Sequence, residues 1–177
     1  MPSNKVEVGL KFLIEEAKKS PVGVASKTPT GYLIPVDYSL STEELIKLGN
    51  FDSVGRGLEF FPRRTWGEAT VEIELFKLRR TQIEATWNRA LLQIGEKGYR
   101  GADLAELATL AGFFPLLQRR NSIIGLGSIL QSGGVREVPL VGAHSDGSRW
   151  LDRGRMDDNY YNLSMLGTYR FAVVKIQ

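Results

Sequence analysis

The chain has 177 residues, of which 42% are hydrophobic and 24% charged, with a net charge of +3, one histidine and no cysteine. This length suits one compact domain and is too short for two full domains. Without cysteine the chain cannot form a disulfide framework, a thiolate zinc site or a cysteine nucleophile. Its apolar runs are far shorter than the ~20 residues of a spanning helix, so we expect no membrane span. Residues 1–5 lack the pattern of a secretory signal, which predicts a cytoplasmic protein.

The basic residues are dispersed along the chain. The 23 Lys and Arg residues only slightly exceed the 20 Asp and Glu residues, and the largest clusters are dipeptides such as Arg63-Arg64 and Arg119-Arg120. A nucleic-acid interface needs one dense basic face. We therefore expect no nucleic acid among the partners.

Two helices are predicted in the first fifty residues. Between Val6 and Lys18 the apolar residues recur every three or four positions, as on one side of a helix, and Ser20-Pro21 ends the pattern. Ser41-x-x-Glu44 is a capping box that begins a second helix, which Gly49-Asn50 ends. The segments around this helix read as loop: residues 21–39 contain one short extended piece, and residues 50–68 show no clear period.

A strand and two helices are predicted over residues 69–112. Residues 69–78 alternate apolar and polar side chains, which is typical of a strand with one buried face. Thr81-x-x-Glu84 is a capping box that begins a helix, and Gly95 and Gly98 end it. After Gly101 a further helix carries its apolar residues on one stripe and ends at Gly112.

The last third of the chain is rich in short β-like runs separated by Gly, Ser, Asp and Asn. These runs are residues 122–130, 136–141, 148–153 and 169–176. A strand, two helices and a β-rich end do not alternate as β-α-β units do, so the pattern predicts an α+β fold.

The Gly125-Leu126-Gly127-Ser128 segment is similar to the start of a dinucleotide-binding fingerprint. Leu130 replaces the third glycine, and more strand follows where a phosphate-binding helix would begin. We favour a strand whose glycines allow another backbone to approach closely.

We expect no enzyme, cofactor or metal site. His144 lies beside Ser145 and Asp146, but sequence neighbours do not make a catalytic triad, and no nucleophile elbow is present. Asp157-Asp158-Asn159 lacks the ligand spacing of a calcium loop and is interpreted as a turn.

Residues 142–168 form the most informative segment. They concentrate Gly, Ser, Asp, Arg, Asn and Tyr together with one Trp. Tyr and Trp supply rigid contact area, and Ser, Gly and Asn supply adaptable hydrogen bonds, as in antibody loops. Composition alone supports a recognition surface and an ordinary polar loop equally.

Parts of the chain resemble bacterial C-type-lectin-like domains, including those of the formylglycine-generating-enzyme type. The resemblance to their helix pair lies in Trp87-x-x-Ala90 and in Gly98-Tyr99-Arg100-Gly101-Ala102-Asp103-Leu104-Ala105-Glu106-Leu107. The segment Gly167-Thr168-Tyr169-Arg170-Phe171-Ala172-Val173-Val174 is similar to their closing strand. Five further blocks resemble the variable proteins of diversity-generating retroelements: Val36 to Leu40, Val71 to Leu75, Ile124 to Ser128, Val138-Pro139 and Asp146 to Asp152.

The chain also departs from these families. Gly101-Ala102-Asp103 stands where Leu-Pro-Thr is usual, and Glu106-Leu107 replaces Glu-Trp. The cysteine pair of formylglycine-generating enzymes is missing, so their oxidase activity is not implied. No Glu-Pro-Asn triplet is present, so a calcium-dependent sugar site is not implied either.

The resemblance implies a non-catalytic binding protein. In retroelement variable proteins, mutation at adenines changes surface residues near the C-terminus while the fold stays constant, and AAY codons reach the residue types found in residues 144–164. The binding face would recognise a protein or another macromolecular ligand, and an oligomer is possible. The residues implied to bind the ligand are His144, Ser148, Arg149, Trp150, Asp152, Arg153, Arg155, Asp157, Asn159, Tyr160, Tyr161 and Asn162.

The expected architecture is a C-type-lectin-like domain of residues 63–177 behind a helical extension of residues 1–62. The extension is either an accessory subdomain or an oligomer contact. Residues 71–78 and 169–176 would pair as the terminal strands. The core beneath them would include Trp87, Leu91, Leu104 and Leu107.

Two other functions remain open. One is an enzyme or nucleotide-binding protein that uses the Gly125 to Ser128 segment, with His144 as a further candidate. The other is a phage-derived structural protein with a single fixed partner.

Overall fold

The computed structural model describes residues 25–62, 66–77, 87–156 and 169–176. The helix predicted between Val6 and Lys18 and the capping box at Thr81 lie outside these residues. In the part of the chain that is described, no helix combines the length and the hydropathy that crossing a membrane requires.

The described residues form ten strands and four α-helices, with a short 3-10 turn at Leu58–Phe60. The helices are α1 (Thr42–Gly49), α2 (Trp87–Glu96), α3 (Leu104–Phe113) and α4 (Leu116–Arg120). The strands are β1 (Ser26–Lys27), β2 (Tyr32–Asp37), β3 (Ser53–Val54), β4 (Glu68–Phe76), β5 (Tyr99–Gly101), β6 (Ile123–Gly125), β7 (Leu130–Ser132), β8 (Val135–Ala143), β9 (Arg149–Arg155) and β10 (Arg170–Lys175).

All ten strands belong to one mixed sheet. Its main path runs β1-β2-β4-β10-β6-β8-β9-β3, and β5 and β7 pair with β10 and β8. The β10–β6 and β3–β9 pairs are parallel and the other pairs are antiparallel. Helices that follow one another beside such a sheet confirm the α+β class.

The predicted pairing of the terminal strands is confirmed. β4 and β10 are antiparallel neighbours, with Val173 opposite Glu74 and Val174 opposite Ile73. β10 lies at the centre of the sheet, where Phe171 to Val174 are all buried. Burial on both faces explains why this strand is a continuous apolar run and does not alternate.

The sheet separates two hydrophobic clusters. Side chains from α1 and α3 pack on one face together with Ile73, Ala172 and Val174. α2 packs on the other face with Phe171 and Val173. The predicted core residues fit this arrangement, since Trp87, Leu104 and Leu107 are buried and Leu91 is half-buried against the second cluster.

Residues 25–62 contribute to the same sheet and core. β2 pairs along its whole length with β4, from Tyr32 opposite Ile73 to Asp37 opposite Glu68. α1 begins at the predicted capping box, where Ser41 accepts the Glu44 N–H, and Asn50 ends it in the left-handed conformation. Whether residues 1–62 and residues 63–177 are separate units, as predicted from sequence, is not tested by these contacts.

Candidate binding face

The β8–β9 hairpin carries the first part of the predicted binding residues. His144 N–H donates to the Ser148 carbonyl at 2.8 Å, and Gly147 closes the turn with φ +86°. Asp146 Oδ1 accepts the Ser148 N–H at 2.8 Å and the Ser148 hydroxyl at 2.6 Å. These bonds hold the pKa of the Asp146 carboxyl below its usual range. These bonds fix the conformation of the turn, and His144, at its first position, is exposed.

Trp150 lies across the hairpin from Gly142, its partner in the β8–β9 ladder. A Cβ on Gly142 would lie 2.8 Å from Trp150 Cε2, so only glycine leaves room for the indole there. The His144 and Trp150 ring centroids are 6.3 Å apart. Trp150 is half-buried against the hydrophobic cluster that α2 forms with the sheet, and the rest of its surface lies beside His144.

Arg149 was expected on the binding face, but the structure buries it to 8% exposure. Its guanidinium donates to the Ala111 carbonyl in α3 at 3.2 Å and to the Asn50 carbonyl at the end of α1. Its backbone N–H donates to Asp52 Oδ2 at 2.7 Å. Burial lowers the pKa of this guanidinium, and the Asp52 charge opposes that shift. Arg149 therefore anchors β9 to α1 and α3, and little of its side chain is left exposed.

The rest of β9 is split between the two faces of the sheet, because successive strand side chains point in opposite directions. Trp150 and Asp152 share one face, and Arg153 and Arg155 share the other. Asp152, Arg153 and Arg155 are exposed, and Arg153 pairs with Glu137 in β8 at 3.0 Å. One flat ligand therefore cannot contact the whole predicted set from a single side of β9.

A loop that the sequence did not single out borders the same strand. β3 pairs with β9 in parallel, and Gly55 N–H donates to the Leu151 carbonyl at 2.8 Å. A Cβ on Gly57 would lie 3.0 Å from Arg153 Nη1 and 3.5 Å from the ring of Phe60, which is 66% exposed. The loop therefore places an exposed aromatic ring beside the β9 arginine. The glycines at 55 and 57 were the available signal, but residues 50–68 show no hydrophobic period.

The remaining predicted positions are five residues outside the described part of the chain and the half-buried Ser148. Asp157, Asn159, Tyr160, Tyr161 and Asn162 lie outside the described residues. Ser148 is half-buried and held by Asp146. Four of the predicted residues are exposed in the structure: His144, Asp152, Arg153 and Arg155. Trp150 is half-buried.

Other parts of the protein pack closely against the glycine segment at 125–128. A Cβ on Gly125 would lie 2.8 Å from the Ala102 carbonyl oxygen, and Gly127 N–H donates to that oxygen at 2.8 Å. Ser128 Oγ accepts the Leu104 N–H and donates to the Pro62 carbonyl. The close backbone approach favoured from sequence is confirmed.

A buried polar cluster at the start of α3 was not predicted. Asp103 and Glu106 form a capping box, and Glu106 Oε1 accepts the Tyr38 hydroxyl at 2.6 Å. Arg100 donates to both carboxylate oxygens of Glu106, at 2.8 and 2.5 Å. The spacing Asp103-x-x-Glu106 was a readable signal.

In the described ranges, no group of three acidic or histidine side chains is placed to hold a metal ion. No family model matches the chain, and no curated protein or solved structure matches it with significance. The candidate face is therefore interpreted from its own geometry.

Proposed function

We propose that the chain is a non-catalytic ligand-binding protein that presents a variable C-terminal surface on a C-type-lectin-like scaffold. It would resemble the variable proteins of diversity-generating retroelements and act in the cytoplasm on a protein or another macromolecular ligand. The binding face would comprise the β8–β9 hairpin, the exposed residues of β9 and the segment that follows.

One observation supports this proposal: some residues of β9 are buried or hydrogen-bonded to the helices, while other residues of the same strand are exposed. Leu151 and Gly154 are buried, and Arg149 is tied to α1 and α3. Asp152 is exposed on the same strand, and His144 is exposed in the turn that precedes it. Side chains at the exposed positions can therefore change without altering the core, which is the property that a diversified face needs.

The test is deep sequencing of the gene and its flanks across the source population. We expect substitutions at adenines in the codons for His144, Asp152 and residues 157–162, with the codons for Arg149 and Leu151 constant. A near-copy of the segment beside a reverse-transcriptase gene is also expected. Residues 104–111 of α3 provide the matched internal control, since they are buried and should not vary.

Two outcomes would contradict the proposal. An invariant gene with no such neighbour would favour a protein with one fixed partner. Substitutions spread equally over exposed and buried codons would show that no face is being diversified.

A further inference from the structure

The capping box of α3 is built from two buried acids. Asp103 is 3% exposed and Glu106 is 0% exposed. Glu106 N–H donates to Asp103 Oδ1 at 2.9 Å, and Asp103 N–H donates to Glu106 Oε2 at 2.8 Å. In the capping box of α1 the corresponding residues, Ser41 and Glu44, are exposed and only one is an acid. Burying two carboxylates together is costly unless their charge is balanced.

The surroundings balance only one of the two charges. Arg100 from β5 pairs with Glu106, and the Tyr38 hydroxyl after β2 donates to the same carboxylate. Asp103 also accepts a backbone hydrogen bond from Ala105 and feels the charge of Arg100, both of which favour its ionised form. It also lines a small cavity whose remaining lining includes Leu45 of α1, Pro62 and Ser128, none of which carries a charge. With both acids ionised, the cluster holds two negative charges against one guanidinium. With Asp103 protonated, the charges are equal.

We propose that the Asp103–Glu106 pair is a proton-binding site that takes up one proton as the pH falls into the mildly acidic range and thereby stabilises α3 against β5 and Tyr38. The site acts independently of the binding face. Its contribution to the free energy of unfolding is larger in mild acid than at neutral pH, which is the reverse of the contribution of the carboxylates that cause acid denaturation.

The direction of the pKa shift agrees with the geometry. Burial, followed by the Glu106 charge, raises the pKa of Asp103 from 3.8 to about 6. Because the folded-state pKa lies above the unfolded value, the stabilisation is present in full below pH 3.8 and is lost as the pH rises through 6. The pKa values of Tyr38 and Arg100 are raised, so neither group changes charge in this range.

The experiment is urea unfolding of the full-length chain and of Asp103→Asn between pH 5 and pH 8. Asparagine caps a helix as well as aspartate does, so the variant keeps its hydrogen bond to Glu106 N–H. We expect the folding equilibrium constant of the wild type to fall about tenfold over this range through this site. In Asp103→Asn this fall should be largely absent.

Asp146→Asn is the matched control, because Asp146 is also hydrogen-bonded but is exposed and has a lowered pKa. This variant should keep the wild-type dependence between pH 5 and pH 8. A carboxyl carbon titration by NMR provides an independent readout and should show one acid of the pair titrating near pH 6. An unchanged pH dependence in Asp103→Asn, or a pair that is fully ionised at pH 5, would overturn the proposal.

Discussion

Arg149 and Arg153 lie four residues apart on one strand and one face, yet their surroundings assign them different roles. Arg149 donates to two carbonyl groups that end helices, and its backbone is held by Asp52. Carbonyls at helix C-termini are without intrahelical partners, and a buried cation satisfies them well. Arg153 is exposed and forms one ion pair with Glu137. Residue type alone could not have separated the anchor from the surface residue.

We predict that Arg149→Ala destabilises the protein by about 2–4 kcal/mol, because it removes the charge-assisted hydrogen bonds of a buried guanidinium to the Ala111 and Asn50 carbonyls and leaves the Ala111 carbonyl with the Gln118 amide as its remaining side-chain donor. The free energy of unfolding from urea titration measures the effect. Arg153→Ala is the control and should cost less than ~1 kcal/mol, as exposed ion pairs do. Equal losses for the two variants would show that Arg149 is not an anchor.

At the scale of elements, hydrophobic period predicted most of what the structure contains. β4 and β10 follow from alternation and from a continuous apolar run. α3 was predicted from an apolar stripe that Gly112 ends, but it continues to Phe113 and is buried on all sides from Leu104 to Ala111. α4 and β3 have five and two residues, too few to show a period, and tertiary contacts decide their conformation. The loop beside β9 was missed for the same reason. In the candidate site, sequence predicted residues of β9 that the structure leaves exposed, while the burial of Arg149 depends on helices distant in sequence.

The contact between the glycine segment at 125–128 and the backbone that leads into α3 gives a further prediction. A Cβ on Gly127 would lie 2.7 Å from the Ala102 carbonyl carbon, so the backbone would have to move. We expect Gly127→Ala to lower the melting temperature and to cost at least about 2 kcal/mol. Gly95→Ala is the control: Gly95 lies in α2 with nothing within 4 Å of an added Cβ, so it should gain about 0.5–1 kcal/mol. A tolerated Gly127→Ala would contradict the close packing.

At the scale of the whole molecule, the segment before residue 62 packs against elements from the C-terminal half of the chain. The segment before residue 62 supplies Ile34, Val36 and Leu45 to the cluster that α3 and β10 also line. It also supplies the Asn50 carbonyl and the Asp52 carboxylate that hold Arg149. The orientation of the proposed binding face thus depends on a segment far from it in sequence, through α1 and β3.

This dependence predicts that residues 63–177 do not fold alone. Removing β2 would expose the edge of β4 and the apolar face around Ile73, and removing α1 would uncover α3. We expect the truncated chain to lack a cooperative thermal transition and to bind a hydrophobic dye, whereas the full-length chain unfolds in one step. Circular dichroism and dye fluorescence measure both. A sharp transition close to that of the full-length chain would instead establish residue 62 as a true domain boundary, and would leave the N-terminal segment as an accessory unit with no part in positioning β9.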